Sequence, residues 1–382
     1  MLVVFSLTTG EFVVAGILPE VAGALLVPVS AAGQLVTAYA LGMIVGGPVV
    51  TVATARLPRR AVLLGLVAVA VLANLGSALA PGYSVLLATR FAAGLVVATF
   101  FAVAVTTAVA LAPAGKAAST IAQIALGMNL GLILGTPLGT WIGQQLGWRA
   151  TFAVVAACAL AALGAVLLFV TELPSATAGS ALRELRVLGD RRVLLAIALT
   201  ALGNVGVLMV FTYITPLLTE VAGFAAAAAP VLLLVYGAGA VVGNQLGGRA
   251  ADRALLPALT GLLTCLSAAL AIFGIVDGNH WLAVLLVFVL GVLAFAIIPG
   301  MQARVITAAA AAPTLAVAIN ASGFQLAAAL AGRSGGWIIG AGPGPRALPL
   351  IGAAVTLAAA GLAGLMLYRD SRSPRVGAAT RP

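Results

Sequence analysis

Residues 117–148 read AASTIAQIALGMNLGLILGTPLGTWIGQQLGW, thirty-two positions without a charged side chain between Lys116 and Arg149. A helix needs about 20 apolar residues to cross a bilayer, so this stretch is long enough for one membrane span. Glycine recurs at every fourth position, at Gly127, Gly131, Gly135 and Gly139. Such a series leaves a flat helix face that another helix can approach closely. Pro137 lacks a backbone N–H and is expected to bend the span.

The whole chain shares this apolar character. Of its 382 residues, 63% are hydrophobic and only 7% are charged, against about a quarter charged in soluble domains. A soluble globule keeps a polar exterior and cannot hide so much apolar surface. This composition excludes soluble enzymes, nucleic-acid-binding domains and disordered chains. It predicts an all-α polytopic membrane protein.

The charged residues divide the chain into neutral stretches of the length of a membrane span. We predict twelve transmembrane helices, at 2–19, 30–51, 61–79, 84–108, 118–140, 150–171, 193–218, 229–247, 255–276, 281–303, 313–337 and 347–368. Fifteen of the nineteen Lys and Arg residues lie in the even-numbered gaps and the C-terminal tail. Because positive charge concentrates on the cytoplasmic side, both termini are expected in the cytoplasm of a multi-pass protein of the cell (inner or plasma) membrane.

The two halves of the chain resemble each other. Glu20-Val-Ala-Gly23 after span 1 recurs as Glu220-Val-Ala-Gly223 after span 7, and residues 39–46 resemble 236–243. The predicted organisation is an N-terminal six-helix bundle (1–172), a cytoplasmic central loop (173–192), a C-terminal six-helix bundle (193–368) and a cytoplasmic tail (369–382). Parallel repeats of this kind place a substrate cavity between the halves, near the bilayer midplane.

Two further motifs accompany the glycine series. Span 4 contains Arg90-Phe-Ala-Ala-Gly94, and the gap after span 8 reads Gly248-Arg-Ala-Ala-Asp252-Arg253. An arginine inside a span is costly and usually faces a cavity or a partner, although snorkelling to the outer interface is an alternative for Arg90.

Together these motifs resemble those of the major facilitator superfamily, in its twelve-span drug:proton antiporter branch. The series Gly127, Gly131, Gly135, Pro137 and Gly139 resembles the antiporter signature of that branch. The runs Gly147-Trp-Arg149 and Thr9-Gly-Glu-Phe12 are similar to the arabinose-efflux-permease-like and chloramphenicol-efflux-like subgroup.

The resemblance implies the major facilitator fold, with two pseudo-symmetric six-helix bundles. It implies proton-coupled export of small organic molecules, such as drugs or metabolites, by alternating access. It also implies that Asp252, with Gly248 and Arg253, helps to lock one conformation near the start of span 5. The first-half loop departs from this pattern, since Ala55 stands where the acid would be.

Glu11 is the only acid deep inside a predicted span. Ten residues at about 1.5 Å each reach about 15 Å, half of the hydrocarbon thickness. A carboxylate at that depth is expensive when ionised, which suits a proton carrier. A fixed structural hydrogen bond, or a position nearer the interface, is the alternative. Arg90 is the expected electrostatic partner, so Glu11 and Arg90 are the predicted proton-coupling residues.

Eight polar residues within the spans are candidates for the lining of a substrate cavity. They are Gln34, Tyr39, Asn129, Asn204, Tyr213, Tyr236, Asn320 and Gln325. Each has the alternative role of a helix–helix hydrogen bond. Arg333 faces either the cavity mouth or the outer interface.

These features favour a secondary transporter over an enzyme. No nucleophile–base pair, metal cluster or phosphate-binding loop is evident, so we expect no catalytic residues, metal or cofactor. The expected partners are a small-molecule substrate, protons and the lipid bilayer, with no nucleic acid and a monomeric unit. A facilitator or symporter for a sugar, nucleoside or similar nutrient is the alternative to the exporter.

Overall fold

Long helices account for most of the chain. The computed structural model describes residues 1–112, 116–170, 190–276, 279–308 and 313–372, and these ranges contain helices and no strands. We number the long helices in chain order. They are α1 (Leu2–Gly16, continued by Leu18–Leu25), α2 (Val29–Thr54), α3 (Arg59–Ala78), α4 (Tyr83–Leu111), α5 (Ala117–Leu130, Gly131–Gly135 and Thr136–Leu146), α6 (Trp148–Phe169), α7 (Arg191–Thr212), α8 (Ala229–Arg253), α9 (Leu255–Ile275), α10 (His280–Ala308), α11 (Pro313–Gly340) and α12 (Ala347–Arg372).

These helices have the dimensions of membrane spans. Within the described ranges, ten are long and apolar enough to cross a bilayer, and the bent helix α1 makes an eleventh. Helix α11 is 28 residues long and lies where the eleventh span is predicted. The all-α, polytopic prediction is therefore confirmed. Most of the predicted central loop (173–192) and of the tail (369–382) lies outside the described residues.

Three spans are interrupted where proline removes a backbone donor. Helix α1 bends by 67° at Ile17 and continues to Leu25, so the predicted end at residue 19 is too early. Pro19 follows this bend and cannot donate to the preceding turn. Helix α7 breaks at Tyr213 and continues through Ile214–Pro216 and a π-helical turn at Leu217–Val221. Helix α5 contains a π-helical turn just before Pro137.

The glycine series of α5 packs against α1. A Cβ atom on Gly127 would lie 2.8 Å from the Met1 carbonyl oxygen, and one on Gly131 would lie 2.8 Å from the Phe5 carbonyl oxygen. Gly135 faces the side chain of Thr9, whose Oγ1 donates a 3.3 Å hydrogen bond to the Gly131 carbonyl. The absence of side chains thus allows the two backbones to touch, and α5 fixes the position of α1.

The two halves of the chain meet at one end of the molecule, which we call the closed end (residues 30–40, 140–147, 212–230 and 328–340). Thr37 Oγ1 of α2 donates a 3.1 Å hydrogen bond to the Ala329 carbonyl of α11. Tyr213 is fully buried between these helices and donates a 2.8 Å hydrogen bond to the Gly332 carbonyl. Helix α8 packs mainly against α10 within the second half, and it contacts the Gly131–Leu146 part of α5 in the first half.

The opposite end, which we call the open end, is less tightly packed. Val49 and Val52 of α2 are 59% and 73% exposed there, and Asp252 at the end of α8 is exposed as well. The described hydrogen bonds that join the halves, from Thr37, Gln144, Thr215 and Gln325, all lie away from this end.

Candidate functional site

Glu11 lies beside the cavity between the two halves, on the part of α1 that α5 holds in place. Its Oε1 accepts a 3.0 Å hydrogen bond from Nε2 of Gln325 on α11, a residue 314 positions away in the chain. The Gln325 side chain is only 7% exposed, and its Oε1 is buried with no partner among the described residues. This bond, the Glu11–Gln325 tie, joins a carboxyl group of the first half to an amide of the second.

Arg90 lies behind Glu11 and is fully buried. Its Nη2 donates a 2.6 Å hydrogen bond to the carbonyl of Gly10, and its guanidinium lies 4.5 Å from the Tyr39 ring centre and 5.3 Å from that of Phe152. Aromatic faces stabilise a buried cation in this position. Arg90 forms no ion pair with Glu11. It binds instead the carbonyl of Gly10, the residue that precedes Glu11.

A cavity opens beside the tie. Its empty volume is about 410 Å³, counting its mouth, and Glu11, Tyr39, Thr212 and Gln325 supply its polar lining. Phe12, Phe211, Phe324 and neighbouring aliphatic residues supply the rest. A mostly apolar wall with a few convergent polar groups is typical of small-molecule sites.

A second cavity, with an empty volume of about 330 Å³, adjoins the first. It shares Phe12, Phe211 and Phe324 with the first cavity and adds the polar residues Asn204 and Tyr236. The ring of Phe211 lies 5.8 Å from that of Phe12 and 5.0 Å from that of Tyr236. Phe12 and Phe211 line both cavities and form the wall between them.

Four phenylalanines line the cavities and were not among the residues predicted from the sequence as cavity lining: Phe12, Phe211, Phe295 and Phe324. A phenylalanine in an apolar span has no periodic or charge signal that separates a cavity wall from a lipid-facing or packed position. The adjacent Glu11 is the one signal that singles out Phe12.

The remaining polar candidates lie away from these two cavities. Gln34 and Tyr213 are at the closed end, where Gln34 Nε2 and the Tyr213 hydroxyl both approach Gly336. Asn320 Oδ1 accepts a 2.7 Å hydrogen bond from Thr200 Oγ1, and Asn129 is half-buried on α5. Thr200 and Asn320 thus form a contact between α7 and α11.

The predicted conformational lock lies at the open end. Asp252 and Arg253 are exposed in the last turn of α8, and Asp252 forms no ion pair within the described part of the chain. A Cβ atom on Gly248 would meet open space. Arg333 is exposed on α11 near the closed end.

The chain is similar to known membrane transporters. The family model described as Major Facilitator Superfamily matches residues 1–314. The chain is 35% identical over 290 residues to the inner membrane transport protein YdhP of Escherichia coli, covering 75% of this chain and 73% of that protein. It is 38% identical over 252 residues to a chloramphenicol resistance protein of Streptomyces lividans, covering 64% and 63% of the two chains.

Solved structures share the fold at low sequence identity. A bacterial homologue of the human lysosomal transporter Spinster, in an inward-facing and unoccupied conformation, superposes with a TM-score of 0.76 at 15% identity, over 98% of this chain and 97% of that one. A D-xylose–proton symporter superposes with a TM-score of 0.71 at 18% identity, over 95% of both chains.

Proposed function

Since this chain belongs to the Major Facilitator Superfamily and is a multi-pass membrane transporter rather than an enzyme, we propose that it is a proton-coupled exporter of small organic molecules. The observation that carries this proposal is the position of Glu11. Its carboxyl group is at the wall of an aromatic cavity and contacts the other half of the chain. A carboxyl group there can exchange a proton with the cavity and respond to the movement of the halves.

Each part of the site has a proposed role. Glu11 carries the proton, and Arg90 positions it by binding the carbonyl of Gly10. Tyr39, Asn204, Tyr236 and Gln325 supply hydrogen-bonding groups to the cargo, and the phenylalanine rings pack against its apolar part. The glycine series of α5 keeps α1 at a fixed distance, so that Glu11 stays aligned with α11. Both cavities are formed within one chain, which supports a monomer as the working unit.

The orientation of the chain follows from its positive charges. Arg56, Arg59 and Arg60 flank the turn between α2 and α3, at the open end. Because Lys and Arg concentrate on the cytoplasmic side, the open end faces the cytoplasm and both termini lie there. This conformation would receive cargo from the cytoplasm, as an exporter requires, and alternating access would then open the closed end.

The relatives support export more than uptake. The Streptomyces lividans protein is named for chloramphenicol resistance, which favours an amphenicol-like drug among the candidate cargoes. The similarity to the D-xylose–proton symporter extends to the fold alone. A nutrient symporter or facilitator is therefore the alternative that the experiment must separate from the exporter.

Everted vesicles with an internal pH dye provide the test. The lumen is first acidified, and chloramphenicol, arabinose or a nucleoside is then added outside. An antiporter releases protons from the lumen when its cargo enters, so the dye should report alkalinisation with one compound. The signal should vanish in Glu11→Gln and persist in Glu220→Gln, which changes an exposed acid in the same way. An equal signal in both variants would contradict the role of Glu11.

A further inference from the structure

The Glu11–Gln325 tie differs from the other bonds that join the halves. The bonds from Thr37 to Ala329 and from Gln144 Nε2 to the carbonyl of Ala226 both lie at the closed end, and Thr215 Oγ1 donates to the carbonyl of Ala15 near the bend of α1. Those bonds end on backbone carbonyls, whose charge does not change. The tie ends on a carboxyl group, so its strength depends on the protonation of that group.

From this geometry we propose that Gln325 is the positioning residue that couples the proton on Glu11 to the movement of the halves. The inference rests on the proposed proton-coupled transport. When Glu11 is ionised, the amide of Gln325 donates to a full negative charge. Hydrogen bonds of this kind are about twice as strong as neutral ones, and burial strengthens them further. The tie then holds α11 to α1 and keeps the empty carrier in the conformation seen here.

Either proton or cargo releases the tie. A proton on Glu11 removes the negative charge that strengthens the bond. A cargo with a hydroxyl, amide or amine donor competes for the same carboxylate. It can also donate to Gln325 Oε1, which is buried at the cavity without a partner among the described residues. A buried polar atom without a partner is unfavourable, so such a contact would stabilise the bound cargo.

The tie prevents movement of the empty, ionised carrier, which the exchange of cargo for protons requires. If the empty, ionised carrier could change conformation freely, cargo would cross without a proton and the two fluxes would be uncoupled. The tie prevents that step, because only a protonated or cargo-bound carrier has a weakened bond between the halves. Gln325 thereby acts through Glu11 and does not itself carry the proton.

Glu11 is the acidic side chain in the described lining of the two cavities. The other titratable side chains in the described lining are Tyr39 on α2 and Tyr236 on α8, and a tyrosine ordinarily ionises at about pH 10. Arg90 on α4 faces Glu11 from behind and stays charged. Tyr213 on α7 is at the closed end, where its hydroxyl donates to Gly332. The described residues of the other helices place no further acid or base at either cavity.

The test needs no knowledge of the cargo. Cysteines replace Val52 on α2 and Leu246 on α8, both exposed, in a chain whose Cys158 and Cys265 are changed to alanine. Spin labels on the new cysteines report the distance across the open end by electron paramagnetic resonance as pH is lowered from 9 to 5. Gln325→Leu removes the tie. Gln123→Leu is the matched control, because Gln123 is an exposed glutamine on α5.

In the labelled parent protein, high pH should give the long distance of the open end, and acidification should add a short-distance population. Loss of one hydrogen bond to a charged group predicts a change of about tenfold to hundredfold in the ratio of the two populations. Gln325→Leu should show, at every pH, the ratio of short to long distances that the parent protein shows at low pH. Gln123→Leu should have the same pH dependence as the parent. Glu11→Gln should also lose the pH dependence.

The possible results distinguish the role of Gln325 from proton coupling through Glu11. A parent-like pH profile in Gln325→Leu, with the profile lost in Glu11→Gln, would overturn the role of Gln325 and leave proton coupling in place. A flat profile in the parent protein would overturn the proton coupling and the tie together. Size-exclusion chromatography and an unchanged helical circular-dichroism spectrum establish that each variant is folded.

Discussion

A single methyl group added at Gly135 should disturb the site through the contact between α5 and α1. A Cβ atom there would lie 2.8 Å from the Cβ of Thr9 and would also clash with its hydroxyl. Carbon atoms in ordinary contact are about 3.5–4.0 Å apart, so the two helices must separate by about 1 Å. Overpacking of this kind costs about 1–3 kcal/mol.

The displacement acts on transport because Glu11 follows Thr9 by two positions. A shift of about 1 Å lengthens the 3.0 Å tie to Gln325 beyond hydrogen-bond distance. We therefore expect Gly135→Ala to lower proton-driven transport by about tenfold to hundredfold, the effect of one lost hydrogen bond to a charged group. The matched control is Gly164→Ala on α6, where a Cβ atom would meet nothing within 4 Å.

The two variants are compared by thermal unfolding in detergent and by transport in vesicles. Alanine in place of glycine favours a helix by about 1 kcal/mol at either position, so the difference between the variants isolates the contact with α1. Gly164→Ala should be as stable as the parent or more stable, and fully active. Equal stability and activity of Gly135→Ala would refute the argument and reduce the glycine series to general membrane packing.

Three further predictions follow from other contacts. Thr37→Val removes the 3.1 Å hydrogen bond that joins the halves at the Ala329 carbonyl and should raise the reactivity of a cysteine at Ala329 several-fold, whereas Tyr83→Phe, which removes a bond within the first half, should not. Phe211→Ala joins the two cavities and should weaken binding of an aromatic cargo at least tenfold, measured by calorimetry. Cysteines at Val52 and Trp281, both exposed, should react with an impermeant reagent from opposite sides of the membrane, and reaction from the same side would contradict the twelve-span topology.

The fold was largely predictable because its signal is local. Neutral stretches bounded by Lys and Arg define the spans. The bend at Ile17 was missed because apolar residues continue on both sides of it, although Pro19 and Gly16 indicate the break in retrospect. Hydropathy measures composition and is insensitive to the direction of the helix axis.

The site was less predictable because it depends on contacts between distant parts of the chain. Gln325 was one of eight polar candidates, and nothing in its spacing indicates that it binds Glu11. Arg90 was expected as the electrostatic partner of Glu11, but the sequence does not indicate that its guanidinium contacts the Gly10 carbonyl and the ring of Tyr39. Phe211 and Phe324 carry no signal until the helices are packed.

The most direct test of proton-driven export uses the purified protein in liposomes with an imposed pH gradient. The labelled compound that gives the proton signal in vesicles is supplied outside, on the face of the open end, and the lumen is made acidic. An antiporter should accumulate the compound in the lumen, and both an ionophore and Glu11→Gln should abolish the accumulation. Exclusion of the compound from the acidic lumen would indicate symport. Equilibration without accumulation, unchanged in Glu11→Gln, would indicate a facilitator, and either result would contradict the account.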